Sequence, residues 1–351
     1  MRPNPQPRED AAPHPAAWRG AELTRRDDWE LRLDPSCASE LVHAVRATVH
    51  LQPHELNPST FQLPRLGPLL KRLQDRLETG SGATILRNIP IRALAEIGVA
   101  DAAERAFRGM ARYIGTPVSQ NAAGDRLLHV RDEHHSAGDP RVRGPNTSAR
   151  LSFHTDRCDV IAFLCMAPAR EGGETHLISS MTVHAELQRL HPDVLRVLEG
   201  SFPYLRHTVD SGNRRPFVEL PIFAQHKGHF SGSFLRVLID RAHAATNAPT
   251  LTPEQIAALD TLESVAEDPQ LYASFSLAAG DALFINNWVT FHRRTAFLDH
   301  ADPELRRHLL RLWLAVPNSR PLDPRFTDHF GSTEAGVVRG GMPAGSVPPS
   351  L

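Results

Sequence analysis

A β-rich sandwich or barrel with helical additions, an α+β domain overall, is the fold class this sequence predicts. Three features predict it. From Gly124 onward, short apolar runs (RLLHV, VIAFLCM, THLIS, FVELPIF, ALFIN, HLLRLWLAV) are divided by clusters of Gly, Pro, Asp and Asn. That is the texture of many short strands rather than of strand–helix–strand units. Upstream, apolar residues recur at helical spacing instead. No internal repeat or linker divides the 351 residues, so one domain is the simplest account.

Taken in chain order, residues 1–20 read as a flexible leader, because Pro and charge dominate. Helices are expected over 39–49 (SELVHAVRATV), 66–77 (LGPLLKRLQDRL) and 99–114. The last carries Ala103, Ala106, Phe107, Met110 and Ile114 on one stripe and stops at Gly115. Between the last two, ATILRNIP at 83–90 reads as a buried strand closed by Pro. The strand-rich part is interrupted by helical inserts over 181–190, 192–199 and 253–266, the last with Thr252 as N-cap. The Pro- and Gly-rich chain after Pro317 reads as a surface wrap or a partly disordered stretch. The expected division is therefore a domain over 21–340, with a helical part over 21–120 and a jelly-roll core over 121–317. A tail over 341–351 follows.

Composition narrows the partners. Apolar residues make up 41% and charged residues 23%, enough for a sizeable core. A net charge of −1 gives no reason to expect nucleic acid or an anionic membrane, and points to a small-molecule substrate. Cys37, Cys158 and Cys165 are too scattered for a disulfide framework. No apolar run reaches the length of a membrane span, and MRPNPQPREDAAPHP lacks a signal-peptide core. Cytoplasm is the expected compartment.

Most of the nineteen histidines need no special role. His154 stands out through its context, LSFHTDRCDVIAFL. On a strand, residues two apart share a face, so His154 and Asp156 would project together. A distant histidine would complete a facial triad of two imidazoles and one carboxylate with open positions for chemistry. The candidate is His292 in GDALFINNWVTFHRRTAF, 138 residues later, where a turn and a strand return the chain to the sheet. A zinc site that recruits Cys158, parity-matched with Asp156, is the alternative.

HLLRLWLAV is an apolar strand with unexpected arginines. Arg307, Leu309, Arg311 and Trp313 would share one face, with His308, Leu310, Leu312 and Leu314 on the other. An inward arginine requires an anion, since an unpaired buried charge costs several kcal/mol. Guanidinium matches carboxylate in a fork. Protein carboxylates or water could serve; beside a facial triad, two carboxylate-bearing small molecules, one per arginine, fit better. In GGETHLISS, Gly172-Gly173 makes a turn and Thr175 opens a strand with a hydroxyl that can donate to a carboxylate.

Taken together, FHTD (153–156), GGET (172–175), GD…NN…H (280–292) and RHLLR (307–311) resemble the TauD/TfdA family of Fe(II)/2-oxoglutarate dioxygenases. AAWRG near the start, IGTPVSQN (114–121), LLHVRDE (127–133) and PAREGGE (168–174) extend the resemblance over roughly residues 15–340. The resemblance implies a double-stranded β-helix, the distorted jelly roll of clavaminate synthase-like enzymes. It implies Fe(II) held by His154, Asp156 and His292, with 2-oxoglutarate as cosubstrate and O2 as oxidant. Arg307 matches the arginine that pairs with the distal carboxylate of 2-oxoglutarate, assisted by Thr175, with Arg306 as a rival. Arg311 matches an arginine that holds an acidic group of the substrate in several relatives.

The implied reaction converts 2-oxoglutarate to succinate and CO2 while oxidising an unactivated C–H bond of a carboxylate- or amino-acid-like substrate. Hydroxylation, desaturation and ring closure all occur among relatives. Halogenation is disfavoured, because it needs the position that Asp156 fills. A non-oxygenase metalloenzyme and a non-catalytic ligand-binding protein on the same barrel are the competing classes. Phe153 is expected to wall the substrate pocket, with Gln120, Asn121 and Arg131 as further candidates. The polar stretch 132–149 suits a lid or an ordinary surface loop.

Overall fold

The computed structural model describes residues 14–134, 144–206 and 216–343. The expected leader up to residue 13, part of the 132–149 stretch and the end of the tail lie outside the described residues. Two sheets face one another. The larger is built from β1 (Glu30–Arg32), β2 (Ala83–Arg87), β3 (Thr116–Val118), β4 (Leu127–Val130), β5 (Val160–Ala167), β8 (Ala282–Asn286) and β10 (His308–Ala315). The smaller holds β6 (Thr175–Ser179), β7 (Tyr272–Phe275) and β9 (Thr290–Arg294). Strand order is β1-β2-β8-β5-β10-β3 in the first, with β4 sharing the β3 edge of β10, and β7-β6-β9 in the second. All pairs are antiparallel except β1 with β2. This is the expected jelly roll.

Side-chain alternation explains why the central strands are apolar throughout. Leu310, Leu312 and Leu314 of β10, Ala162 and Leu164 of β5, and Phe284 of β8 pack outward under a helical layer. Their neighbours Leu309, Trp313, Ile161, Cys165, Leu283 and Ile285 pack between the sheets with Leu177 and Ala273. A strand buried on both faces reads as a continuous apolar run rather than an alternating one.

The helical layer comprises α1 (Pro35–Ala47), α2 (Leu66–Thr79) and α3 (Ala102–Ala111). α1 begins four residues before the expected start because the Asp34 carboxylate accepts from the Cys37 amide at 2.8 Å and Pro35 suits the first turn. The expected 99–114 helix is shorter, with a separate turn over Ile91–Ala95 before it. A second helical cluster contains α4 (Ser180–Leu190), α5 (Pro192–Leu198), α6 (Arg236–Ala244) and α7 (Pro253–Ala266). α7 has the expected bounds: Thr252 accepts from Gln255 N–H and the Gln255 side chain accepts from Thr252 N–H.

Two expectations are corrected. The part over 21–120 is not simply helical, since it supplies β1, β2 and β3 to the larger sheet. The chain after Pro317 is not a surface wrap. Arg339 there meets Asp159 at 2.8 Å and Arg320 meets Glu78 at 2.9 Å, all four largely buried. Phe326 meets Trp288 edge-on and Phe330 packs against it at a tilt, and Met342, assigned to the tail, is buried. Buried acids over the sheet edge require those arginines, a long-range demand with no local signature.

Candidate metal centre

The first ligand pair is not on a regular strand, as expected, but on an extended segment docked along β9. His154 N–H donates to His292 C=O and His292 N–H to His154 C=O, each at 3.0 Å, and Leu151 N–H donates to Arg294 C=O at 3.0 Å. This reciprocal bridge sets the two histidines directly opposite one another, their ring centroids 4.4 Å apart. The turn that follows is pinned by Thr155 N–H donating to Phe234 C=O at 2.7 Å and Asp156 N–H to Asn287 Oδ1 at 3.2 Å. Asn287 Nδ2 also donates to Cys158 C=O at 3.2 Å and lies 3.0 Å from its sulfur. Among the described residues, Cys158 stands outside the cluster of donor atoms that His154, Asp156 and His292 form, which disfavours the zinc alternative that used it.

One donor atom each from His154, Asp156 and His292 falls within 4.8 Å of the others. His154 Nδ1 lies 2.8 Å from Ser152 C=O, so it carries the proton and leaves Nε2 as the free lone pair. Burial, and then His292, push the His154 pKa down to about 4, keeping the ring neutral. Burial raises the Asp156 carboxyl, but Arg311 and His292 outweigh it and hold the group well below the usual carboxylate range. Asp156 Oδ2 is buried without a hydrogen-bond partner among the described residues, 3.5 Å from His292 Nε2. Two imidazoles and that carboxylate oxygen fit a divalent metal such as Fe(II).

The triad opens into a cavity of about 510 Å³, whose wall includes Phe153, Thr175, Arg307, Arg311 and Trp313. Arg307 is buried, and its Nη1 has no hydrogen-bond partner among the described residues. Burial pushes its pKa down to about 10, so it stays cationic at neutral pH. Gly173 lies against it: an added Cβ would stand 3.3 Å from Arg307 Nε, at φ +76°. Arg306 points elsewhere, with Nη1 2.9 Å from His134 Nε2 and Nε donating to His300 C=O. Arg306 closes the short turn Pro303–Leu305 and Arg307 leads into β10, and that change of backbone course separates the two neighbours.

Arg311 lies nearer the triad. Its Nε donates to Gln120 Oε1 at 2.7 Å, Nη1 is 3.9 Å from Asp156 Oδ2, and its guanidinium carbon is 5.1 Å from the Trp313 ring centroid. Gln120 therefore orients Arg311 rather than lining the pocket. Two other candidates fall outside the described cavity wall. Asn121 closes a turn with Asp125, exchanging bonds at 2.9 and 3.1 Å. Arg131 is exposed, because alternation at the end of β4 turns Val130 inward instead.

Sequence reasoning missed part of the wall. Leu235, Val237 and Asp240 come from α6 or its start, and Arg294 from β9. Arg294 donates to the carbonyls of Thr147 and Ala149, which ties the 144–151 segment to β9. Burial and nearby Arg307 push its pKa down to about 9. The second Arg of HRRTAF was a signal that went unread. α6 had none, since its apolar content resembles an ordinary packed helix.

A model of the family "Taurine catabolism dioxygenase TauD, TfdA family" matches residues 47–313. FR-33289 synthase of Streptomyces rubellomurinus is 30% identical over 321 residues, 90% of this chain and 93% of that protein. The taurine hydroxylase-like protein SAT17 of Stachybotrys chartarum is 30% identical over 84% of this chain and 77% of its own length. Among solved structures, asparagine oxygenase with Fe(II), 2S,3S-3-hydroxyasparagine and succinate superposes with a TM-score of 0.60. That match has 19% identity and covers 82% of this chain and 93% of that one. The non-heme iron oxygenase OrfP with Fe and alpha-ketoglutaric acid gives 0.57 at 17% identity, covering 88% and 99%. With the triad, the jelly roll and the family match in agreement, this chain belongs to the TauD/TfdA family of Fe(II)/2-oxoglutarate dioxygenases.

Proposed function

We propose that His154, Asp156 and His292 hold Fe(II), that Arg307 and Thr175 bind the distal carboxylate of 2-oxoglutarate, and that Arg311 faces an acidic group on the substrate. The observation that carries this reading is the triad of donor atoms within 4.8 Å, opening into a cavity walled by Arg307 and Arg311. The metal supplies oxygen activation when bound; the chain supplies orientation and charge. Arg307 offers a cation whose Nη1 has no hydrogen-bond partner among the described residues, with the apolar Phe297 ring 5.0 Å from its guanidinium carbon. Arg294 and Asp299 are both charged neighbours of Arg307, and the Asp299 carboxylate accepts the Arg307 backbone N–H at 2.7 Å, which leaves the guanidinium for an arriving anion.

The substrate in this reading is a small carboxylate- or amino-acid-like molecule, hydroxylated at an unactivated C–H bond. The hydroxylated amino-acid ligands of the asparagine oxygenase and OrfP structures support that class. Residues 21–340 act as one catalytic domain. Free, buried cysteines support a cytoplasmic setting, and no described helix is long and apolar enough to cross a membrane. The test is succinate formation from 2-oxoglutarate in air with Fe(II) and ascorbate, across a panel of amino acids and small carboxylates. His292→Ala should lose both the bound iron and the substrate-stimulated succinate; full iron occupancy and activity in that variant would refute the triad.

A further inference from the structure

One donor in the cavity wall is used neither by the triad nor by the arginine assigned to the cosubstrate. Trp313 is 3% exposed and its indole Nε1 has no hydrogen-bond partner among the described residues. Two other indoles are satisfied: Trp18 Nε1 donates to Ser81 C=O at 2.9 Å and Trp288 Nε1 to Asp159 Oδ1 at 2.9 Å. Buried indole N–H groups ordinarily find an acceptor. An orphan that lines a ligand cavity points to an acceptor that arrives with the ligand.

Trp313 sits two residues beyond Arg311 on the same face of β10, and both side chains line the cavity. Gln120 occupies Arg311 Nε, so the terminal N–H groups of the guanidinium are left for a ligand. The contact from Nη1 to Asp156, at 3.9 Å, is too long to be a hydrogen bond. Guanidinium and indole N–H share one property, that both donate and neither accepts. Their common partner must be acceptor-rich. An ammonium group is repelled by one and unmatched by the other.

We infer that Arg311 and Trp313 together form a receptor for an oxyanionic head group of the substrate, a carboxylate or a phosphate-type group, with the indole N–H as its second donor. This rests on the reading that Arg311 faces the substrate. Trp313 is here a specificity-determining residue, and its ring also holds the guanidinium plane through the 5.1 Å cation–π contact. Trp313→Phe deletes the donor while keeping an aromatic face.

The test uses the full chain loaded with Zn(II) and saturating 2-oxoglutarate, with tryptophan labelled with 15N at the indole nitrogen. Four tryptophans supply four indole resonances, and the one lost in Trp313→Phe identifies Trp313. Acetate and inorganic phosphate are titrated separately, with acetamide as the neutral control. The Trp313 resonance should shift with at least one anion and saturate, while those of Trp18 and Trp288 stay in place. By calorimetry, Trp313→Phe should weaken that anion about tenfold or more, the worth of one hydrogen bond to a charged group, and leave 2-oxoglutarate affinity within about twofold. Whichever anion responds distinguishes a carboxylate head from a phosphate-type head. A stationary Trp313 resonance while an anion binds in an Arg311-dependent way overturns the indole's role and leaves the Arg311 reading intact. Anion binding that survives in Arg311→Gln overturns that reading itself. Absence of binding by both anions overturns the receptor.

Discussion

Arg307, just ahead of β10, and Arg311, within it, differ less in identity than in what surrounds them. Arg307 is buried between Arg294 and Asp299 with an Nη1 that has no hydrogen-bond partner among the described residues, whereas Arg311 is already held by Gln120 beside the Asp156 carboxylate. Arg307→Gln should therefore weaken 2-oxoglutarate binding by roughly two decades or more, since losing one partner of a buried charged pair costs several kcal/mol. Thr175→Val should cost about one to two decades, the worth of a charged hydrogen bond of roughly 1.5–3 kcal/mol. Anaerobic titration of the Fe(II) protein checks both, and unchanged affinity in either variant removes that residue from the cosubstrate site. The preference for Arg307 over Arg306 was legible from parity and the RxxxR pattern, and of the two Arg307 lines the cavity. The positions of Asn121 and Arg131 were not legible, because a turn bond and a strand end decided them.

Among elements, two junctions hold the sheets in register with the site. Asp159 ends the FHTD turn and accepts from Trp288 Nε1, Arg339 Nε and Val316 N–H at 2.9, 2.8 and 3.1 Å. Arg339→Met leaves that carboxylate buried and unpaired, so urea unfolding should show a loss of about 3–5 kcal/mol. Pairing it with Asp159→Asn should recover part of that loss. At the other junction, Asp28 accepts from Arg26 Nε and from Ser81 N–H, each at 2.8 Å, ahead of β2. Burial raises its carboxyl, but Arg26 and the Ser81 amide outweigh this and hold it below its ordinary value. A depressed carboxyl stabilises the fold fully above its unfolded value of about 4 and loses that contribution as pH falls through the folded one. Asp28→Asn should therefore flatten the acid limb of the stability curve and leave its shape near neutrality unchanged. An acid limb as steep as that of the parent would exclude Asp28.

At the level of the whole molecule, the C-terminal stretch completes the core rather than decorating it. Arg320, Arg339, Phe326 and Phe330 together satisfy two buried acids and cover Trp288, and Met342 reaches the cavity wall. Ending the chain after Pro317 should abolish cooperative unfolding and iron binding together, as followed by calorimetry and metal analysis. A truncated chain with the parent's melting temperature would show that the stretch is dispensable.

Local chemistry determined much of this protein in the sequence itself. The runs THLIS and ALFIN became strands with their expected bounds, and Thr252 with Gln255 capped a helix. HTD, GGET and RHLLR named the chemistry, because ligand type and two-residue periodicity are properties of short segments. Only the tertiary structure decided the rest. His154 meets His292 through a reciprocal backbone bridge across 138 residues, not through strand regularity. Gln120 aims Arg311, Asn287 claims Cys158, and α6 closes the cavity. Each of those depends on which groups burial leaves in need of a partner, and that is settled only when distant parts of the chain share one dry interior.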